Sequence, residues 1–318
     1  MLPGSRNRSA LEEQRRLAAK RSCLELRSRI IQATRDFFTQ RQYLEIETPL
    51  LIPAPAPELH IDAIPAGDVF LHTSPELCMK RMLSAGYPRI FQIVKCFRQG
   101  ERGQRHLPEF TMLEWYRTGF DYLDLMVECE ELLLFLSRRL GLGKRILYQG
   151  REIELEPPWE RLSVKEAFER YACVSLEEAM SSGRFDEVMV MEIEPHLGTP
   201  KPHFLHDYPA PLAALSRLKG TDPGIAERFE LYLGGGMELA NAFSELTDAR
   251  EQEGRFEREK EQRNELGKTA YPVPEKFLRA LPFMPASAGI ALGIDRLIML
   301  FADTVNIEDV VAFTPEEL

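Results

Sequence analysis

The sequence predicts an α+β protein, because helical and strand patterns both recur along the chain and two strands form a hairpin. Residues 24–42 and 122–140 carry apolar side chains at helical spacing. Residues 90–97 and 110–116 are rich in β-branched and aromatic side chains and flank a loop with two glycines. Residues 229–245 hold further strand segments around three consecutive glycines. These patterns favour a sheet combined with helices.

Composition and charge narrow the class of protein. The 318 residues are 44% hydrophobic and 28% charged, which is typical of a globular protein. The net charge of −10 opposes a large nucleic-acid footprint, since such binding depends on basic contacts. Five cysteines without a C-x-x-C pair indicate reduced thiols. No apolar run approaches the ~20 residues that cross a bilayer, so we expect a cytoplasmic protein without a membrane partner.

The sequence divides into a short basic N-terminal segment and one large domain. Residues 1–22 are basic and poor in large apolar side chains, so they predict a lead helix or a flexible tail before a domain at 23–318. Residues 43–48 alternate as a short strand. The proline-rich residues 53–57 predict a stiff, extended connector.

Two helix starts follow. A strand at 69–72 leads into Ser74, Pro75 and Glu76, and proline suits the first turn of a helix. Glu76 fits two interpretations, a carboxylate favoured by the helix dipole or a ligand-binding group. Asp121 is the expected N-cap of the helix at 122–140.

The hairpin at residues 90–116 carries side chains that are suited to binding a ligand. Its loop holds Arg98, Arg102, Arg105 and His106, donors that suit phosphate oxygens. In the strand that follows, a period of two places four side chains on one face: Phe110, Met112, Glu114 and Tyr116. The hairpin therefore predicts a nucleotide at the tip and an amine-bearing substrate further along the strand.

A second strand carries polar and acidic side chains that are suited to binding cations. Asn241, Phe243 and Glu245 share one strand face. Buried carboxylates are costly without a cation, and Mg²⁺ with ATP or an ammonium group would satisfy them. Residues 248–265 predict a charged, solvated helix with a capping-box-like start. The isolated pair His206 and Asp207 is interpreted as structural rather than metal-binding.

Three stretches resemble the motifs of class II aminoacyl-tRNA synthetases of the lysyl subtype. Residues 97–114 resemble motif 2, residues 41–50 resemble motif 1, and residues 289–300 resemble motif 3. Together with residues 73–76 and 243–248, the resemblance covers most of residues 24–314. It implies a class II catalytic domain, an antiparallel sheet flanked by helices, and a homodimer formed through motif 1.

The resemblance also implies the activity and its residues. Class II enzymes activate a carboxylate with ATP, giving an acyl-adenylate and pyrophosphate, chemistry that depends on positioning and charge neutralisation. Arg98 and Arg296 are implied as catalytic: Arg98 between the carboxylate and the α-phosphate, and Arg296 stacking adenine against Phe110. The implied ATP-binding residues are Arg98, Gln99, Gly100, Glu101, His106, Leu107, Phe110, Glu238, Leu239, Gly293 and Arg296. The implied amino-acid-binding residues are Ser74, Pro75, Glu76, Glu114, Tyr116, Asn241, Glu245 and Ala291. Mg²⁺ is implied at Glu238 and Glu230.

Four positions depart from the lysyl pattern. Gly100 replaces the usual Glu of motif 2, and we expect Glu101 or a backbone group to take its role. Leu107 replaces an Asn, so a contact there would use the main chain. One extra residue at 233–236 shifts the spacing on which the Glu230 assignment depends, and Ala291 replaces the second glycine of motif 3.

The segment before motif 1 is too short for the OB-fold anticodon-binding domain of lysyl-tRNA synthetases. A lysyl-type core of this kind is similar to the elongation factor P–(R)-β-lysine ligase family. This implies activation of (R)-β-lysine and its transfer to a lysine of elongation factor P, with tRNA not expected as a partner. Two alternatives stay open: a truncated lysyl-tRNA synthetase-like enzyme activating α-lysine for tRNA, or an adenylate-forming enzyme with another acceptor. A non-catalytic sensor is disfavoured, because both motif arginines are present.

Overall fold

The computed structural model describes residues 3–318, with side chains from Leu11 onward. The α-helices of the described chain, numbered in order, are α1 (Pro3–Ala19), α2 (Arg21–Gln40), α3 (Glu76–Ser84), α4 (Tyr122–Arg139), α5 (Val164–Tyr171), α6 (Leu176–Ser181), α7 (Phe185–Val188), α8 (Ala249–Glu265), α9 (Glu275–Ala280) and α10 (Ile294–Phe301). The two long helical patterns are confirmed. Asp121 caps α4 as predicted, because its carboxylate accepts from Leu123 N and Asp124 N.

A large sheet forms the centre. The strands are β1 (Leu44–Glu45), β2 (Leu51–Ile52), β3 (Pro65–Ala66), β4 (Val69–Leu71), β5 (Arg89–Phe97), β6 (Glu109–Thr118), β7 (Arg145–Tyr148), β8 (Arg151–Glu154), β9 (Glu160–Ser163), β10 (His203–Pro209), β11 (Leu218–Lys219), β12 (Asp222–Leu233), β13 (Met237–Ser244) and β14 (Ser287–Gly293). The main order is β1-β5-β6-β14-β13-β12-β10-β9, with β11 paired to β12. Only the outer pairs β1–β5 and β9–β10 are parallel. The predicted α+β fold with a mostly antiparallel sheet is therefore confirmed.

The side chains of β6 point alternately to the apolar core and to the opposite face of the sheet. Leu113 and Trp115 point into the apolar layer between the sheet and helices α2 and α4. There Phe38 of α2 stacks on Phe91 of β5, with ring centroids 4.9 Å apart. Glu114 and Tyr116, on the opposite face, contact a separate cavity. A period of two thus gives one strand an apolar face for folding and a polar face for ligands.

The N-terminal predictions agree only in part with the structure. Residues 3–19 form a lead helix, one of the two predicted alternatives, and α2 begins at Arg21, just before the predicted boundary after residue 22. Lys20 is buried, and its Nζ lies 3.1 Å from Glu317 Oε2. This part of the chain therefore packs against the C-terminal end, while residues 1 and 2 of the predicted tail lie outside the described range. The predicted strand at 43–48 shrinks to β1, because only two residues pair with β5.

The region between residues 144 and 228 forms a second apolar cluster at the β9 end of the sheet. Its helices α5 and α6 pack their apolar side chains into this cluster. Asp207 accepts hydrogen bonds from the Tyr122 hydroxyl at 2.7 Å and from Lys219 Nζ at 2.5 Å. These contacts support the structural interpretation of the His206–Asp207 pair. Within residues 3–318 no group of three or more His, Cys, Asp or Glu side chains forms a metal-binding cluster.

Candidate active site

The polar face of the sheet carries a cavity of about 340 Å³. Strands β6, β12, β13 and β14 form its floor, while the start of α3 and the loop after β5 form its sides. The motif 2 and motif 3 residues converge here, although almost two hundred positions separate them in the chain. One end is rich in carboxylates and the other in arginines.

Glu114 is the centre of the acidic end. It is 1% exposed, and it accepts hydrogen bonds from the Ser74 hydroxyl at 2.6 Å and the Tyr116 hydroxyl at 2.8 Å. Burial, and then the nearby Glu76 carboxylate, raise the pKa of Glu114 to about 8. A carboxyl group held in this way ionises most readily when a cation binds beside it. The predicted cluster of Ser74, Glu76, Glu114 and Tyr116 is therefore assembled around a place suited to an ammonium group.

Lys80 is a functional-site residue that the sequence analysis missed. It is 1% exposed, and its Nζ lies 2.5 Å from both Glu76 Oε1 and Glu245 Oε2. Its spacing of four residues from Glu76 matches an ordinary surface ion pair on a helix, so the sequence holds no signal that it is buried. When their carboxyl groups are ionised, Glu76, Glu114 and Glu245 carry three negative charges. The Lys80 ammonium neutralises one of them, so the acidic end of the cavity has a net charge of −2.

Glu245 is close to its predicted place, yet it does not line the cavity. It stands behind Gly289 and Tyr116 and faces Lys80. In the described structure neither Glu245 oxygen makes a hydrogen bond of good geometry, although the Lys80 ammonium lies within contact distance. Burial above all raises the pKa of Glu245 to about 8. Glu245 therefore stands one layer behind the cavity lining, and its predicted contact with a substrate amine stays a prediction.

The wall between these groups depends on close approach of β14 to its neighbours. An added Cβ at Gly289 would lie 2.1 Å from Tyr116 Cε1 and 2.5 Å from Glu245 Oε1. Two residues further on, Ala291 pairs with Glu114 on one side and Asn241 on the other. Asn241 Oδ1 accepts from Arg228 Nε at 3.3 Å. Ala291 therefore lies between two polar strand neighbours in the cavity lining, and its contact with an amino acid stays a prediction.

Arginines dominate the other end. Arg98 follows β5 directly, and its guanidinium carbon lies 5.0 Å from the centroid of the Phe110 ring. Its Nε is buried without a hydrogen-bond partner among the described residues. Glu101 lies 3.5 Å from Arg98 and also lines the cavity, as expected if it replaces the missing motif 2 Glu. Gly100 adopts a φ of +78°, which favours glycine at this turn.

Arg296 lies in the first turn of α10, and the buried carboxylate of the preceding residue fixes the start of this helix. Asp295 accepts from Arg27 Nη1 at 2.5 Å and from Thr111 N at 2.7 Å, which ties α10 to α2 and β6. Arg296 Nη1 donates to Glu238 O at 2.7 Å, and its Nη2 lies 2.5 Å from His106 Nε2. Burial and the neighbouring Arg296 lower the pKa of His106, so the imidazole is neutral and can accept this contact.

The two glutamates implied for Mg²⁺ differ in their surroundings. Glu230 is already held, because it accepts from Arg228 Nη2 at 2.5 Å and from the hydroxyls of Tyr208 and Tyr232 at 2.7 and 2.6 Å. Glu238 lines the cavity with a 41% exposed side chain, and its carboxylate lies 3.6 Å from Arg296. Desolvation, followed by the charge of Glu230, raises the pKa of Glu238 to about 7. Glu238 is therefore the better placed of the two to meet a cation.

The remaining predicted residues fall into two groups. Leu107, Leu239 and Gly293 line the cavity. Pro75, Gln99 and Gly100 do not line it and act through the backbone: Pro75 precedes α3, and Gln99 N donates to Asp62 O at 2.7 Å. Glu58 lines the cavity and was not predicted, because residues 53–57 were interpreted as a spacer and its own pattern carries no motif.

Comparison with known proteins bears on this site. The sequence model of the family described as "tRNA synthetases class II (D, K and N)" matches residues 8–317. The chain belongs to this family. Membership implies the use of ATP, in agreement with the arginine-rich end of the cavity. Among residues 3–318 no helix combines the length and apolar character that crossing a bilayer requires.

Similar proteins are named elongation factor P–(R)-β-lysine ligase. One from Mannheimia succiniciproducens is 40% identical over 304 residues, covering 90% of this chain and 93% of the relative. One from Proteus mirabilis is 39% identical over 306 residues, with the same coverage of both chains. A third, from Pseudoalteromonas translucida, is 37% identical over 313 residues, covering 93% of this chain and 96% of the relative.

Proposed function

We propose that this protein activates (R)-β-lysine with ATP and transfers it to a lysine side chain of elongation factor P. The observation that carries the proposal is the charge of the acidic end of the cavity. When a bound cation ionises their carboxyl groups, Glu76, Glu114 and Glu245 together with Lys80 carry two negative charges, which matches the two ammonium groups of a lysine isomer. Aspartate or asparagine would place a carboxylate or an amide there and leave that charge uncompensated. The names of the similar proteins support the same substrate and acceptor.

The reaction follows from the two ends of the cavity. The diammonium part of the amino acid binds beside Glu114, Ser74 and Tyr116, so its carboxylate extends toward Arg98. Arg98 brings that carboxylate and the α-phosphate of ATP together, and it neutralises charge as the new bond forms. A carboxylate oxygen attacks the α-phosphorus, pyrophosphate leaves, and the acyl-adenylate remains in the cavity for transfer to the acceptor amine.

The nucleotide end would hold ATP by stacking and charge. Phe110 and Arg296 are proposed to enclose the adenine ring, and His106 to face the γ-phosphate after Arg296 leaves it. Mg²⁺ fits this end, because Glu238 is a partly exposed carboxylate that a cation would stabilise, while ATP phosphates and water supply further oxygen ligands. The bound ion would neutralise phosphate charge. Glu230 is proposed as a support for this strand face through Arg228.

We also propose that motif 1 forms a homodimer interface. Large apolar side chains are exposed close together along this edge: Leu44 is 49%, Leu50 is 39% and Leu51 is 53% exposed. Burying such a patch against a second copy removes apolar surface from water. Replacement of Leu44 and Leu51 by aspartate should shift the protein to a monomer in sedimentation, whereas an unchanged sedimentation coefficient would exclude this edge.

The amino-acid assignment is tested by ATP–pyrophosphate exchange with a matched series. We expect exchange with (R)-β-lysine and, more slowly, with α-lysine. Norleucine keeps the alkyl chain of lysine and lacks the ε-amine, so it should not support exchange, and neither should aspartate. Exchange with norleucine at the rate seen with lysine would show that the acidic end does not select a second ammonium group.

A further inference from the structure

A second cavity lies against the first and has no part in the mechanism given above. Its volume is about 290 Å³, and its walls are mainly apolar. Residues 52–56, after β2, form one side, and residues 272–277, at the start of α9, form the other. Ser74, Glu58 and Glu76 belong to the linings of both cavities, so these side chains form the partition between them.

The partition contains two carboxylates, and Glu58 is the one that remains available to a group entering the second cavity. Glu76 is held by the Lys80 ammonium at 2.5 Å, whereas the contacts of Glu58 in the described structure involve its backbone. Arg263, a fully buried residue of α8, donates to Glu58 O at 2.7 Å and to Asp62 Oδ1 at 2.7 Å. The helix that was predicted to be only a solvated surface therefore fixes the segment that carries Glu58.

The charges around Glu58 favour proton exchange near neutral pH. Burial and the Glu76 carboxylate raise the pKa of Glu58 to about 7, and Glu259 adds to this effect. Arg98 and Arg228 act in the opposite direction. Glu58 and Arg98 line the same main cavity, so this carboxylate faces the space in which the activated acyl group is proposed to lie.

We propose that the second cavity receives the side chain of the acceptor lysine and that Glu58 takes a proton from its ε-ammonium group. Apolar walls suit the tetramethylene chain, and the acidic partition suits the charged end. Glu58, Ser74 and Glu76 line both cavities, so an acceptor chain that enters the second cavity would end at this partition, next to the place proposed for the acyl-adenylate. This inference rests on the proposed transfer to a lysine side chain and assigns the route and the base for it.

The transfer step balances as follows. The acceptor ammonium loses one proton to the Glu58 carboxylate and becomes a neutral amine. Its lone pair forms a bond to the acyl carbon, and the bond between that carbon and the phosphate oxygen of AMP breaks. The second nitrogen proton leaves with AMP on its phosphate, giving an amide, AMP and protonated Glu58, which then returns its proton to solvent.

The test separates transfer from activation. The complex of the full chain with labelled β-lysyl-adenylate is isolated, and acceptor is added in a single turnover. Two acceptors are used, elongation factor P and Nα-acetyl-lysine methylamide, while ATP–pyrophosphate exchange by each variant reports that the chain is folded. Glu58→Gln should lower the ratio of transfer rate to exchange rate by about 10²–10⁴-fold, the usual contribution of a general base. Glu58→Asp retains a carboxylate and should recover part of that loss.

A second variant tests the route without changing the base. Val273 lines the second cavity but not the main one and is 39% exposed, so Val273→Trp should obstruct the second cavity and slow transfer to both acceptors. Val190 lies outside both cavities and is 56% exposed, and Val190→Trp serves as the matched control with normal transfer.

The pH dependence gives an independent readout. Transfer by the unaltered protein should rise with pH as Glu58 loses its proton and should level off above about pH 7. Glu58→Gln should lack that inflection and rise slowly through this range, because only the small neutral fraction of the acceptor amine then reacts. The inference is overturned if Glu58→Gln and Val273→Trp both transfer as fast as the unaltered chain, or if the unaltered chain modifies neither acceptor. Modification of the lysine derivative alone, still dependent on Glu58 and Val273, would support the cavity while refuting elongation factor P as acceptor.

Discussion

Replacing Gly289 with alanine tests whether the acidic end is built as described. The added Cβ would lie 2.1 Å from Tyr116 Cε1 and 2.2 Å from its Cδ1. Since carbon atoms pack at about 3.5–4.0 Å, the ring must retreat by more than about 1 Å. That movement breaks the 2.8 Å hydrogen bond from the Tyr116 hydroxyl to Glu114. A hydrogen bond to a charged group contributes about 1.5–3 kcal/mol, so we expect the Kd for lysine isomers to rise about 10–100-fold.

The assay is calorimetric titration of the amino acid, with chemical denaturation to measure the free energy of unfolding. Overpacking of this kind costs about 1–3 kcal/mol of stability, so the variant should still fold. Gly293→Ala, at the end of the same strand, is the packing control, because its nearest neighbour would be Arg296 Cδ at 3.7 Å. Gly254→Ala, within α8, is the activity control. Unchanged lysine affinity in a folded Gly289→Ala variant would refute the placement of Tyr116 and Glu245.

Four further predictions concern the same cavity. Arg98→Ala should lower ATP–pyrophosphate exchange by roughly 10²–10³-fold in a protein that unfolds normally in denaturant, because a guanidinium directed at developing charge is lost; near-normal exchange would remove Arg98 from the mechanism. Ala291→Gly should raise kcat/KM for α-lysine relative to β-lysine by roughly tenfold, since one methyl group in a pocket contributes about 1–3 kcal/mol; an unchanged ratio would make Ala291 a packing residue. Lys80→Met leaves Glu76 and Glu245 without their cation and should lower the free energy of unfolding, measured with denaturant, by about 3–5 kcal/mol. A decrease of less than about 1 kcal/mol would contradict the ion-pair assignment. The ligand-free protein should lose stability as pH rises from 4.5 toward 8, because folded Glu114 and Glu245 retain protons that the unfolded chain releases; stability that increases over this range would exclude the raised pKa values.

Local sequence patterns were sufficient for most of the fold. The hairpin of β5 and β6 follows from apolar and aromatic runs around a glycine-containing loop, and the start of α4 follows from Asp121 as its cap. Both signals are local, because hydrogen bonds and side-chain periods within a few residues determine them. The outer strand β1 was predicted too long, since pairing with a neighbouring strand, rather than alternation alone, decides where a strand ends.

The parts of the site that were missed depend on contacts between distant segments. Lys80 resembles a surface lysine in the sequence, and only the packing of α3 places its ammonium group between the carboxylates of Glu76 and Glu245. Arg263 belongs to a charged helix, and its burial results from the segment at residues 58–62 folding over it. The pairing of Glu230 with Arg228 and two tyrosines likewise depends on the register of β10 and β12. The burial of these ion pairs and their partners from distant segments become visible only in three dimensions.

The most direct test of the account is a competition between acceptors. The protein is incubated with ATP, Mg²⁺ and labelled (R)-β-lysine or α-lysine, in the presence of both elongation factor P and tRNA-Lys, and label on each acceptor is measured over time. We expect label on a lysine of elongation factor P, faster with β-lysine than with α-lysine, and no appreciable label on tRNA. Efficient labelling of tRNA-Lys without transfer to elongation factor P would contradict the proposed function while leaving the fold and the ATP site intact.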